Sequence, residues 1–374
     1  MEKLGDNFEI SLSLSPGTYY YKFIIDGRWV EDMDNPAKVD DGFGGFNSVF
    51  TLTSDNKILM EVPRIKKGEI SDLKDMGGTP LYLAILWHQH QPMYLKDPAT
   101  GEYSEPWVRL HGIKDYYDMA AMLKNYPGVF VNINLTPVLI LQLEEIIKNY
   151  DAGLFPDKYL RLTLKDASSL TDDEKEFLIL SFFSANWGNM IDIYPRYKEL
   201  RLKRVWSGNN IDLARSKEKF TTEDYRDLQC WFNLAWFDPD FKEGEVLLPT
   251  GKKVSVKKFI DKGSGFSESD KKEIVDTQFE ILKSIIPIHK ELLQAGRIEL
   301  TTTPFFHPIL PLIYDNYMTS EPLPSKHFQF PEDAKGHINL AVEKYFSLFG
   351  KKPYGMWPAE GSVAKDIIPL FADA

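Results

Sequence analysis

The sequence predicts an α/β fold: an incomplete barrel of alternating strands and helices, preceded by a partial all-β sandwich. Three observations carry that expectation. Residues 1–53 form short alternating apolar runs broken by glycine turns, with no helical stretch. From residue 80 to 374 the chain repeats a helix, a glycine and a strand, and each strand closes on polar or charged residues. Residues 54–79, from Ser54-Asp55-Asn56-Lys57 to Gly77-Gly78-Thr79, mix charge and glycine and read as a linker.

In the first segment Phe8 to Leu14 alternates at period two, and Ser15-Pro16-Gly17 turns the chain. Tyr19 to Ile25 is the expected second strand, Asp26-Gly27 a hairpin turn, and Trp29 to Glu31 the return. Gly42 to Ser48 then leads into a last strand, Val49 to Leu52. The pattern Pro16-Gly17-x-Tyr19-x-Tyr21-Lys22-Phe23-x-x-Asp26-Gly27-x-Trp29, with Asp32-x-x-Asn35-Pro36 and Gly44-Gly45-Phe46-Asn47-Ser48, resembles the glycogen- and starch-binding module family 48. That resemblance implies an immunoglobulin-like sandwich in which Lys22, Trp29 and Asn47 contact glucan. Trp29 offers an apolar face to a sugar ring, and Lys22 and Asn47 can hydrogen-bond hydroxyls. The family's earlier strand pair has no counterpart here, so a truncated module is expected, and one that only braces its neighbour stays an alternative reading.

The later segment supplies four strands. Leu81 to Trp87 ends in His88-Gln89-His90-Gln91-Pro92, Val129 to Ile133 in Asn134-Leu135-Thr136-Pro137, Arg297 to Thr303 in Pro304-Phe305-Phe306-His307-Pro308, and Pro353 to Trp357 in Glu360. Helices over Ile113–Asn125, Lys271–Ala295 and Asp333–Phe349 precede the last three, and Gly296 and Gly350 stop two of them. No glycine-rich nucleotide loop follows the first strand, which argues against a dinucleotide fold. Between the second and third strands lies a helical insertion, about residues 138–270, with capping boxes at Thr171/Glu174 and Thr221/Asp224. Its Trp187, Tyr194, Trp231 and Trp236 suit either sugar stacking or a helical core.

Glu360 closes a short apolar run and precedes a glycine and an amphipathic stretch. Two readings stand: a carboxylate capping the next helix, or one facing an active site at a strand's C-terminal end. Trp357 beside it makes a wall for a sugar ring. Tyr354-Gly355-Met356-Trp357-Pro358-Ala359-Glu360-Gly361 resembles the nucleophile region of glycoside hydrolase family 57, the α-glucan-active family of amylopullulanases, α-amylases and 4-α-glucanotransferases. His88-Gln89-His90-Gln91-Pro92 resembles that family's first conserved region, and Thr301 to Leu310, with His307, its second. His88 and His90 lie two apart, so on a strand they share one face.

The resemblance implies a seven-stranded TIM-type barrel and a retaining mechanism on α-glucans such as starch, glycogen, pullulan and malto-oligosaccharides. Glu360 would be the nucleophile, with His88, His90, Gln91, His307 and Trp357 around the sugar and Trp107, Arg109 and His111 closing the groove. It calls for no metal and no organic cofactor. The family's acid/base is an aspartate on a later strand, and none here matches it, so a fragment inactive on ordinary glucans is expected. Three alternatives remain: a 4-α-glucanotransferase, a non-catalytic glucan-binding scaffold, and a zinc-dependent polysaccharide deacetylase. The last is disfavoured because no acidic residue follows the histidine pair before Asp97.

Composition narrows the partners. A net charge of −11 without a Lys/Arg block disfavours nucleic acid. No apolar run suits a bilayer, and residues 1–20 lack a basic-then-apolar leader, so a soluble chain without a signal peptide is expected. The single cysteine, Cys230, sits in an apolar run and reads as core.

Overall fold

The computed structural model describes residues 2–4, 7–9, 12–25, 28–40, 45–53, 55–60, 83–318 and 324–374. The Asp26-Gly27 turn, Gly42, Gly44, Leu81 and residues 61–79 of the expected linker lie outside the described residues. The chain divides into two compact units, Met1–Leu81 and Tyr82–Ala374.

In the first unit β1 (Glu2–Leu4) pairs antiparallel with β2 (Asn7–Glu9). The expected strand to Leu14 stops early: residues 12–15 are irregular, and Leu12 and Leu14 are exposed. Alternation specifies a strand only where one face is buried. The run expected from Tyr19 to Ile25 divides at Lys22 into β3 (Gly17–Tyr21) and β4 (Phe23–Ile25), and β4 forms a hairpin with β5 (Arg28–Val30). A four-stranded antiparallel sheet forms from β3, β6 (Lys38–Asp40), β7 (Phe46–Leu52) and β8 (Ile58–Leu59), with β7 pairing all three others. The start of the expected linker thus contributes a strand. Asn35 is fully buried: its Nδ2 donates to Val49 O at 2.8 Å and its Oδ1 accepts from Ala37 N at 2.9 Å. The Asn35 side chain thereby closes a local turn at Asn35-Pro36 and ties it to β7.

The second unit is built on three parallel strands, β9 (Leu86–Gln89), β10 (Val131–Leu135) and, after two short hairpins in the insertion, β11 (Trp206–Ser207) with β12 (Asn210–Ile211) and β13 (Val246–Leu247) with β14 (Lys253–Val254), the strand β15 (Ile298–Thr301). The order is β15-β10-β9. The expected fourth strand is only a parallel bridge, Thr302 with Met356, with Trp357 N donating to Thr302 O at 2.8 Å. Pro353 and Pro358 bracket it and cannot donate to a ladder. Sequence neighbours thus lie side by side in one direction, as barrel winding requires, rather than reversing about a central strand.

The helix expected from Ile113 begins at Trp107 and reaches Asn125, with a π turn over Gly112–Tyr116. A Cβ at Gly112 would overlap Leu282 Cδ2, so glycine lets this turn press against the helix Glu268–Gln294. That helix and Pro331–Phe349 are followed by Gly296 and Gly350, both with positive φ. The Thr171/Glu174 and Thr221/Asp224 capping boxes are both formed. Trp231 is core: it is 2% exposed, its Nε1 donates to Gly263 O, and Tyr194 packs on it. Cys230 is buried among apolar side chains, which pushes its thiol pKa up. Among the described residues no helix is long and apolar enough to cross a membrane.

Candidate active site

The parallel register places three polar residues in one row: His88 beside Asn134, and Asn134 beside Thr301. Asn134 is fully buried, and its Nδ2 donates to Thr302 O at 2.9 Å and Thr301 Oγ1 at 3.0 Å. Because the Thr302 carbonyl only accepts, the amide nitrogen must face it, leaving Oδ1 to accept from His88 Nδ1 at 2.7 Å. That bond fixes the ring and, with the proton on Nδ1, turns Nε2 toward the other two imidazoles as the acceptor of the neutral tautomer.

Two further imidazoles gather there. The ring centroids of His88 and His90 lie 5.5 Å apart, those of His88 and His307 5.0 Å, and His90 stacks on His307 at 4.1 Å. Burial, then the neighbouring His307 and His88, lowers the pKa of His90 to about 4. Burial and His88 also lower that of His307, against a smaller opposing pull from Glu360. His90 and His307 are therefore neutral at neutral pH. The His307 side chain is 4% exposed, and its Nε2 is buried with no hydrogen-bond partner.

Glu360 is not the last residue of a strand; it sits in the short 3-10 turn Ala359–Gly361. Its side chain is 67% exposed, and Oε1 stands 3.7 Å from His307 Nδ1, beyond hydrogen-bond range. Asn56, His307 and Glu360 are the described non-glycine residues with positive φ, at 61°, 57° and 56°. Two of the three therefore face each other here. Left-handed backbone at non-glycine residues costs about 1–3 kcal/mol and collects at functional sites.

The sequence profile of glycosyl hydrolase family 57 matches residues 84–374. The chain belongs to that family. Residues 1–57 match the profile of the glycogen recognition site of AMP-activated protein kinase. No curated protein matches. Among solved structures this family-57 chain is similar to a branching enzyme from Thermococcus kodakaraensis (19% identity, 75% of this chain and 33% of that one, TM-score 0.35). It is also similar to the α-amylase AmyC from Thermotoga maritima (16%, 78% and 37%, TM-score 0.35) and a branching enzyme from Pyrococcus horikoshii (18%, 75% and 34%, TM-score 0.35). The family-57 chain thus spans about a third of the length of these structures, 33–37%.

Several expected groove residues of the family-57 chain lie elsewhere. Arg109 is fully buried and does not line a groove: its guanidinium donates to Asp157, Asn233 and Gln278 at 2.8–3.2 Å. Gln91 is half-buried and committed at both ends, accepting from Tyr94 OH at 2.6 Å and donating to Tyr116 OH at 2.8 Å. Tyr116 OH in turn donates to His90 O at 3.0 Å, so the π turn positions the loop carrying His90. Trp107 packs 5.7 Å from Trp236, and His111 meets Trp236 edge-on at 5.0 Å and bonds Asp115. Trp357 is 40% exposed and Trp187 43%. In the other unit Trp29 is 69% exposed opposite Ile24. Lys22 lies at the break between β3 and β4, and Asn47 on β7 pairs with Val39 on β6. Tyr94 and Tyr116 carry no sequence motif that marks them, whereas the signal of Asn134 is a polar residue at a strand end.

Proposed function

We propose that this chain carries the nucleophile and the adjoining sugar subsite of a retaining glycosidase acting on α-glucans. The observation that carries the reading is an exposed carboxylate, Glu360, held on left-handed backbone against the buried, neutral His307 with His88 and His90 alongside. Glu360 attacks the anomeric carbon and forms a glycosyl-enzyme, while a second carboxylate, assigned to no residue here, protonates the leaving oxygen and then activates water. Neutral imidazoles at His90 and His307 suit this role better than cations, because they meet sugar hydroxyls without a competing ion pair to Glu360, while His88, its Nδ1–H held by Asn134, offers Nε2. Trp357 supplies the apolar wall.

The proposed organisation is a partial glucan-binding sandwich over residues 1–53, a linker over 54–79, and the N-terminal part of a seven-stranded barrel over 80–374 with its helical insertion. Support comes from the one-directional strand order and the two profile matches. Lys22, Trp29 and Asn47 are the proposed glucan contacts of the sandwich.

The test is a maltose titration of the 374-residue chain labelled with nitrogen-15 histidine. Saturable shifts at His88, His90 and His307, with buried His289 and exposed His327 unmoved, are expected. Unmoved signals from the trio, while glycogen still binds through Trp29, would overturn the subsite.

A further inference from the structure

The same three imidazoles have a donor set that sugar recognition alone does not require. The ligating atoms of His88, His90 and His307 all lie within 4.8 Å of one another. We propose that His88, His90 and His307 bind a zinc-class divalent cation, and that this ion and the glucan exclude each other. Metal binding stands on the donor geometry; the exclusion rests on the subsite reading above.

Three features point to this class of ligand. Asn134 Oδ1 holds His88 Nδ1–H, so Nε2 of His88 is presented as a lone pair, the outer-shell arrangement that orients metal-binding histidines. The nine-tenths-buried His307 leaves Nε2 without a partner, a polar atom awaiting one. Glu360 Oε1 stands 3.7 Å from His307 Nδ1, where it favours the proton on that nitrogen and leaves Nε2 to the ion, with water as the fourth ligand. Three imidazoles select zinc, cobalt or copper over magnesium and calcium, which want oxygen.

The present spacing is that of an open site. Tetrahedral zinc, with bonds of about 2.0–2.1 Å, brings ligand nitrogens to about 3.4 Å apart. A metal also lies in each ring plane, so His90 must turn out of its stack on His307, a rotation about a soft terminal torsion. Once bound, the ion occupies the imidazole lone pairs that sugar hydroxyls would otherwise meet.

The experiment is a cobalt(II) titration of the chelator-treated full chain, read by the visible bands of tetrahedral cobalt, with and without maltose. One equivalent of band-forming cobalt is expected, lost in both His88→Gln and His90→Gln and retained in His327→Gln, with near-ultraviolet circular dichroism reporting fixed aromatic packing in each. Asn134→Ala should weaken binding about 10–100-fold. No tetrahedral bands from the natively packed chain, or bands that survive in both histidine variants, would overturn the site. Maltose should weaken cobalt binding in proportion to its own occupancy. Cobalt binding indifferent to maltose keeps the metal site and overturns the exclusion; maltose-shifted imidazoles without cobalt binding keep the sugar subsite and overturn the metal site.

Discussion

Two polar clusters in the second unit invite comparison. Around Arg109 every group is engaged: Asp157 takes two of its donors and caps Leu160 N, while Asn233 and Gln278 bond both the guanidinium and each other. Around His307 the reverse holds: Nε2 has no partner, Glu360 stands beyond hydrogen-bond range, and both residues keep left-handed backbone. The first cluster is complete without a ligand; the second keeps hydrogen-bonding capacity that the proposed sugar would meet. Unmet capacity beside an exposed carboxylate on left-handed backbone, rather than charge alone, sets the proposed site apart from the Arg109 cluster.

The largest effect should come from breaking the complete cluster. Arg109→Met leaves Asp157 buried without its cation and should cost about 3–5 kcal/mol, read from the urea midpoint. A loss comparable to that of an exposed lysine variant would make Arg109 dispensable and blur the contrast.

A smaller effect comes from acid. His90 has a folded pKa of about 4 against 6.5 when exposed, so below 6.5 the unfolded chain binds the extra proton first. The stability of the wild type relative to His90→Gln should hold above pH 6.5 and fall as pH drops toward 4, read as the difference in urea midpoints. His307 shifts in the same direction, and Glu360 opposes it only weakly. A difference independent of pH would mean that His90 is not held neutral.

The smallest effect sharpens the contrast from the other side. Glu360→Gly removes the left-handed penalty at an exposed position and should stabilise the chain by about 1 kcal/mol, read from the urea midpoint. Destabilisation instead would give Glu360 a structural duty.

The same contrast explains what was legible in the sequence. Capping boxes and glycine stops are local, so the helices after Thr171 and Thr221 and the ends at Gly296 and Gly350 stand where spacing placed them. His88, His90, His307 and Glu360 stand out in the sequence because they follow strands or apolar runs, and the fold brings them together. Arg109 was not, because its partners lie 48, 124 and 169 residues away and only packing brings them together. Tyr116 reaches His90 through a π turn that helical periodicity cannot announce. The fourth strand shrank to one bridge because prolines flank it.

The most direct measurement is intact-mass and peptide mass spectrometry of the chain after incubation with an activated fluoro-maltosyl fluoride, whose leaving group needs no general acid. The account predicts one sugar adduct, on Glu360, absent from Glu360→Gln. An unlabelled chain with native near-ultraviolet circular dichroism, or an adduct on another residue, would contradict it.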